Sequence, residues 1–200
     1  MVASIARPGG NITGSSFFFP ELNAKRLELL TEALPGARRM AALVNPENPA
    51  HTLALKAMES VAKVQNVELQ VVDVRGPPDF LGVFSGMVRQ RVDAISVLDD
   101  AMLIANAPRI ADLAARNRLP TSGFREIADA GGLMAYAVNF PAAWRRAAVF
   151  IDKIFKGANP GDLPIEQATQ FEFVVNLKTA KALGLTIPPA VLARADEIIQ

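Results

Sequence analysis

Apolar residues recur along this chain with two periods that take turns, and the alternation predicts the architecture. Leu27, Leu30 and Leu34 share one face of a helix that Pro20 and Glu21 lead and Pro35-Gly36 stops. A short apolar strand over 39–44 ends at Asn45-Pro46, and Asn48-Pro49 opens a helix to about residue 64 in which Leu53, Leu55, Met58 and Val61 are the apolar positions. The run 67–74 alternates as a strand does, 77–89 reads as a helix, and 94–98 is apolar enough for a strand buried on both faces. A helix over 102–117 carries Ile104, Ile110 and Leu113, followed by a strand at 119–122, a helical turn at 127–130 and a strand at 133–138.

Strands separated by helices of this length indicate right-handed βαβ crossovers and a parallel sheet covering about residues 22–138. The fold class is therefore α/β. After Asn139 the character changes. An amphipathic helix over 141–155 is ended by Lys156-Gly157, a strand at 171–176 has no neighbour in the βαβ series, and helices are expected at 177–183 and 188–199. This tail is too short for a domain of its own and reads as a piece of another lobe.

Composition narrows the function. The chain has 200 residues, half of them hydrophobic, and a net charge of +1. Such a balance offers no field to hold a phosphate backbone, so nucleic acid is not an expected partner. There is no cysteine and one histidine, which excludes disulfides, thiolate nucleophiles and His- or Cys-rich metal sites. No Walker loop or G-x-G-x-x-G is present. No metal, cofactor or catalytic residue is expected, and His51, at a helix start, is expected on the surface. The first ten residues contain no charged segment followed by an apolar one, and no apolar run approaches the roughly 20 residues of a membrane helix.

In a parallel α/β sheet, ligands bind beyond the carboxyl ends of the strands. The residues standing there are Asn45, Asp99, Asp100, Phe124 and Tyr136. The Asp99-Asp100 pair is the sharpest signal. Strand-end carboxylates serve as ammonium ligands, as Mg²⁺ ligands or as phosphoacceptors; they also cap the following helix. Asn45 suits a turn as well as a site, Tyr136 a half-buried core as well as a site. Ser15 and Ser16 offer hydroxyl donors in the turn-rich opening, residues 7–16.

Several stretches resemble one family: Ser4-Ile-Ala-Arg-Pro-Gly-Gly-Asn-Ile-Thr-Gly14, Gly131-Gly-Leu-Met-Ala-Tyr136, residues 145–157, and residues 171–185 followed by Pro188-Pro189. The pattern is similar to the substrate-binding proteins of ABC transporters labelled tryptophan/tyrosine-type, in consistent order from residue 2 to residue 200. The resemblance implies a type I periplasmic binding fold, with two lobes joined by three hinge crossings and a ligand clamped between them. It places residues 1–14 at the end of the first lobe and its hinge, 15–130 in the ligand-binding lobe, and 131–200 in the hinge return and the first lobe. Members of that family carry an export signal and most of the first lobe upstream of the stretch that begins at Ser4; here Met1 falls in mid-fold, so the chain is expected to be truncated at its N-terminus. It further implies an extracytoplasmic location, an ABC permease as partner, and a small organic ligand, an amino acid or related compound, met by Ser15, Ser16, Asn45, Asp99, Asp100, Phe124 and Tyr136. The apolar stripe of 141–155 is expected to be exposed and to offer a docking face to a second copy. Two other functions are kept: an effector-sensing regulatory domain of the same fold, and a flavodoxin-like phosphoacceptor or enzyme domain with Asp100 at its centre.

Overall fold

The computed structural model describes residues 2–17 and 19–200, with the side chain of Phe19 excepted. In chain order its elements are β1 (Ser15–Ser16), α1 (Phe19–Ala33), β2 (Arg39–Val44), α2 (Ala50–Gln65), β3 (Glu68–Asp73), α3 (Phe80–Arg89), β4 (Ala94–Val97), α4 (Ala101–Ala105) and α5 (Ala107–Arg116). They continue with β5 (Thr121–Gly123), α6 (Arg125–Asp129), β6 (Met134–Val138), α7 (Phe140–Phe155), β7 (Glu166–Gln167), β8 (Phe171–Asn176), α8 (Leu177–Leu183), α9 (Pro189–Leu192) and β9 (Glu197–Ile199). Single 3₁₀ turns precede α3 and β7, at Pro77–Asp79 and Pro160–Asp162.

The chain divides into two units and passes between them three times. Residues 19–137 and 172–200 form the larger one, 2–17 and 138–171 the smaller. The larger unit is built on a seven-stranded sheet in the order β3-β2-β4-β5-β6-β8-β9. Its first five strands are parallel, with Leu43 of β2 opposite Val97 of β4 and Ser96 opposite Ser122 of β5. The reason is legible in β2. Met40, Ala42 and Val44 point into one apolar cluster, together with Leu27, Leu30 and Met58 of the helices above; Ala41 and Leu43 point into the other, with Phe80, Phe84 and Ile110. A strand covered on both faces is apolar throughout, and helical crossovers supply the cover.

The far edge of the sheet corrects the expected domain plan. Asn176 N–H donates to Leu133 O at 2.8 Å and Asn139 N–H to Gln170 O at 3.0 Å, so β8 lies beside β6 and runs antiparallel to it. Beyond it β9 pairs parallel with β8, Val175 opposite Ile198. Residues 172–200 thus complete the sheet of the larger unit instead of joining 138–171, because Phe173, Val174 and Val175 are buried there. The helix expected over 188–199 is only the turn α9, and its end is the strand β9. The helix expected over 102–117 is two, α4 and α5, broken at Asn106 ahead of Pro108. In α2 the buried positions are His51, Ala54, Met58 and Ala62, while Leu53 is exposed.

In the smaller unit β1 pairs parallel with β7, Ser15 opposite Glu166. The opening segment and residues 161–168 run side by side: Ile165 N–H donates to Ile5 O, Gly9 N–H to Gly161 O and Thr13 Oγ1–H to Leu163 O. Gly161 is required there, because a Cβ would stand 2.6 Å from Gly10 O and 2.9 Å from its nitrogen. Helix α7 buries Phe150, while Trp144, Ile151 and Phe155 face outward.

Candidate functional site

The site grows out of the register of two neighbouring strands. Because Leu43 stands opposite Val97, β2 and β4 end at the same level and deliver Asn45 and Asp99-Asp100 side by side. Asp100 is extended and opens α4. Its Oδ1 accepts the main-chain N–H of Met102 at 2.9 Å and of Leu103 at 3.3 Å, as an N-cap does. Its Oδ2 accepts from the side-chain amides of Asn45 at 3.2 Å and Asn48 at 3.0 Å. Those two amides are themselves aimed by their loop. Asn45 Oδ1 accepts Glu47 N–H and Asn48 Oδ1 accepts Ala50 N–H, two short Asx turns in succession. Asp100 is thus a cap and also the centre of a half-exposed polar cluster, held by neutral donors.

Asp99 has a different task. Both of its carboxylate oxygens take the guanidinium of Arg26, with Nη2 3.0 Å from Oδ1 and Nη1 on Oδ2. Arg26 is fully buried in α1, and its other donors go to Tyr136 O at 2.6 Å and Asn23 Oδ1 at 3.2 Å. A buried guanidinium needs such a partner, because taking an unpaired charge out of water costs several kcal/mol or more. The pair binds the middle of α1 to the end of β4 and, across β5, to β6.

His51 is not on the surface. It is 5% exposed, with Nδ1 3.1 Å from Asn45 O and Nε2 3.1 Å from Asp99 O. The ring spans the gap between the ends of β2 and β4, which its position at a helix start does not reveal.

The remaining candidates lie elsewhere. Tyr136 is half-buried in β6, edge-on to Phe173 at 6.5 Å, and burial raises its hydroxyl above the ordinary tyrosine value. Phe124 is 2% exposed and belongs to the core cluster with Phe80 and Phe84. Ser15 and Ser16 belong to the smaller unit. There Ser15 borders a groove of about 820 Å³ lined also by Arg145, Arg146, Glu166, Thr169 and Gln170. Arg146 pairs with Glu166 in it and holds that carboxyl below its ordinary value.

The structure therefore brings Asn45, Asp99 and Asp100 together and adds Asn48, His51 and Arg26, which the pattern of apolar residues does not single out. Arg26 has a signal: it is a cation on the helix face of Leu22, Leu29, Leu30 and Ala33, where an unpaired charge has no place. Among the described residues no three His, Cys, Asp or Glu side chains are grouped to hold a metal ion, and no helix is long and apolar enough to cross a membrane.

Known proteins give the cluster a context. The model of a family described as ABC transporter substrate binding protein matches residues 1–199. A tyrosine-binding protein of Clostridioides difficile (strain R20291) is 23% identical over 186 residues, 92% of this chain and 53% of that protein. The chain thus spans about half the length of the curated relative it matches. Among solved structures, the ABC domain in complex with L-Trp from Streptococcus pneumonia superposes with a TM-score of 0.87 at 24% identity, covering 99% of this chain and 68% of the other. A conserved domain protein from Vibrio cholerae gives 0.88 at 24%, covering 98% and 66%. The shared fold is that of type I periplasmic binding proteins.

Proposed function

The chain belongs to the family of ABC transporter substrate binding proteins, a family of binders and not of enzymes, and on that premise we propose that it binds an amino acid for an ABC importer through the cluster at the ends of β2 and β4. The observation that carries the reading is the Asp100 carboxylate, half-exposed at the carboxyl end of a parallel sheet and ringed by the amides of Asn45 and Asn48. With the charge of Asp99 met by Arg26, the carboxylate held by neutral donors is that of Asp100, and an α-ammonium group is the complement of such a site. Aromatic side chains are favoured on the ligand because the relative that matches most of this chain binds tyrosine and the superposed structure holds L-Trp.

The same reading places the protein outside the cytoplasm, with a permease as its partner. Phe124 is left to the core. Titration calorimetry with L-tyrosine and L-tryptophan tests the proposal: saturable one-to-one binding of either is expected, and no heat with both would overturn it.

A further inference from the structure

We propose that the larger unit docks on the surface of an anionic phospholipid bilayer, through the end of its sheet opposite the candidate site. Strands β3, β2, β4 and β5 are neighbours and parallel, so the segments that lead into them arrive at one end. Arg39 stands opposite Glu68, and Asp93 N–H donates to Arg39 O at 2.8 Å, which sets these lead-ins level. The carboxylates of this end are already engaged. Glu68 pairs with Arg39, Asp112 with Arg116 and Glu32 with Arg194, while Asp93 accepts the main-chain N–H of Arg38 and Arg39. Lys63, Arg38, Arg89, Arg91 and Arg118 are all exposed and have no carboxylate partner among the described residues. The net charge of +1 conceals this local excess.

Helix ends do not account for all of it. A cation in the last turn of a helix complements the helix dipole, which explains Lys63 of α2 and Arg89 of α3. Arg38 lies outside any helix. Arg91 and Arg118 stand just past α3 and α5 with φ of 56° and 54°, the left-handed conformation that glycine or asparagine takes at least cost, and Asn66 fills the same place after α2. There the chain gains charge at the expense of conformation. The cations also lie on a plane. Lys63 comes from a helix on one face of the sheet and Arg89 from a helix on the other, with Arg38, Arg91 and Arg118 leading into strands between them. Four strands span about 15 Å. Val64 and Val88, 83% and 45% exposed, adjoin Lys63 and Arg89. A flat array of phosphates over an apolar layer meets both the charges and these side chains; a soluble polyanion meets only the charges.

This surface lies apart from Asp100 and its amides, so its test is independent of the proposed ligand. Cosedimentation of the full chain with vesicles of phosphatidylglycerol and phosphatidylcholine at low salt is expected to show binding, and vesicles of phosphatidylcholine alone to show none. Each cation removed is expected to weaken binding about fivefold, so Arg38→Gln combined with Arg91→Gly weakens it roughly 25-fold. Glycine suits the left-handed position, so the double variant is expected to keep its fold, which thermal unfolding checks. Should it not fold, Arg38→Gln alone, with its fivefold loss, carries the test. No binding to the anionic vesicles would overturn the proposal, and so would undiminished binding by the folded variant. Capture by soluble polyphosphate without binding to vesicles would also overturn it, in favour of a polyanion site.

Discussion

Arg26 is wholly out of solvent and holds both carboxylate oxygens of Asp99, 73 residues further along the chain. That one pair ties α1 to the strand end on which the candidate site is built. Its two members are not equivalent, because Asp99 keeps 16% of its side chain exposed and Arg26 none. Asp99→Ala is therefore expected to cost about 3–5 kcal/mol, the penalty of leaving a buried charge unpaired, and Arg26→Met less than Asp99→Ala. Urea unfolding of the two single variants and the double variant checks this. A double variant less stable than Asp99→Ala would contradict the ion pair's isolation from water.

The cap made by Asp100 can be separated from its charge. Asp100→Ala is expected to destabilise by about 1 kcal/mol, and Asp100→Ser to stay within about 0.5 kcal/mol of the wild type, since serine caps a helix as well as aspartate does. Thermal unfolding distinguishes them. Equal losses would show that the amides of Asn45 and Asn48, not the N–H groups of α4, are the bonds that count.

Two carboxylates around Arg125 should respond to acid in opposite senses. Glu197 bonds to the guanidinium, with Oε2 2.7 Å from Nη1, and is held below its ordinary value by that bond. Glu172 lies 3.7 Å from the same nitrogen and is raised, first by burial and then by its neighbours Glu197, Asp129 and Asp196. A lowered folded value means stability that is present at neutral pH and lost as pH falls through it; a raised value means the ionised group opposes folding at neutral pH. So Glu197→Gln is expected to lower the urea midpoint at pH 7, modestly because the pair is half-exposed, and Glu172→Gln to raise it. Both differences should fade as pH falls through the carboxylate range. A Glu172→Gln variant that is destabilised at pH 7 would reverse the sign argued here.

Gly161 meets the backbone of Gly9 and Gly10, which leaves no soft atom to yield to a methyl group. Gly161→Ala is expected to cost about 1–3 kcal/mol as overpacking does and to speed hydrogen exchange at Gly9 N–H, which donates to Gly161 O at 3.0 Å. Unaltered exchange at Gly9 would show that the two segments hold together without that contact.

Much of the fold is legible from residue types. The spans 39–44, 171–176 and 177–183 are readable to the residue, because each is a run of one period closed by an Asn, Pro or Gly signal. Asp99-Asp100 marks a strand end for the same reason. What period cannot show is pairing across distance. Nothing near Asp99 announces Arg26, nothing in 171–176 states that β6 is its neighbour, and the burial of His51 follows from a carbonyl 48 residues away. Residues 197–199 follow a proline-led apolar stretch that fits a helix until a strand edge is there to receive them. The candidate site is accordingly half legible: Asn45, Asp99 and Asp100 are where the carboxyl-end rule puts them, while Phe124 belongs to the core and Asn48 reads from sequence only as the opening of a helix.

The central claim is that a half-exposed Asp100 receives the ammonium group of an aromatic amino acid, and calorimetric titration of the wild type and Asp100→Ser with L-tyrosine and L-tryptophan tests it most directly. The account predicts saturable binding to the wild type and an affinity at least about tenfold weaker in the serine variant, as the loss of a charge-assisted hydrogen bond of about 1.5–3 kcal/mol requires. Equal affinity in a variant that keeps its cap and its stability would contradict it.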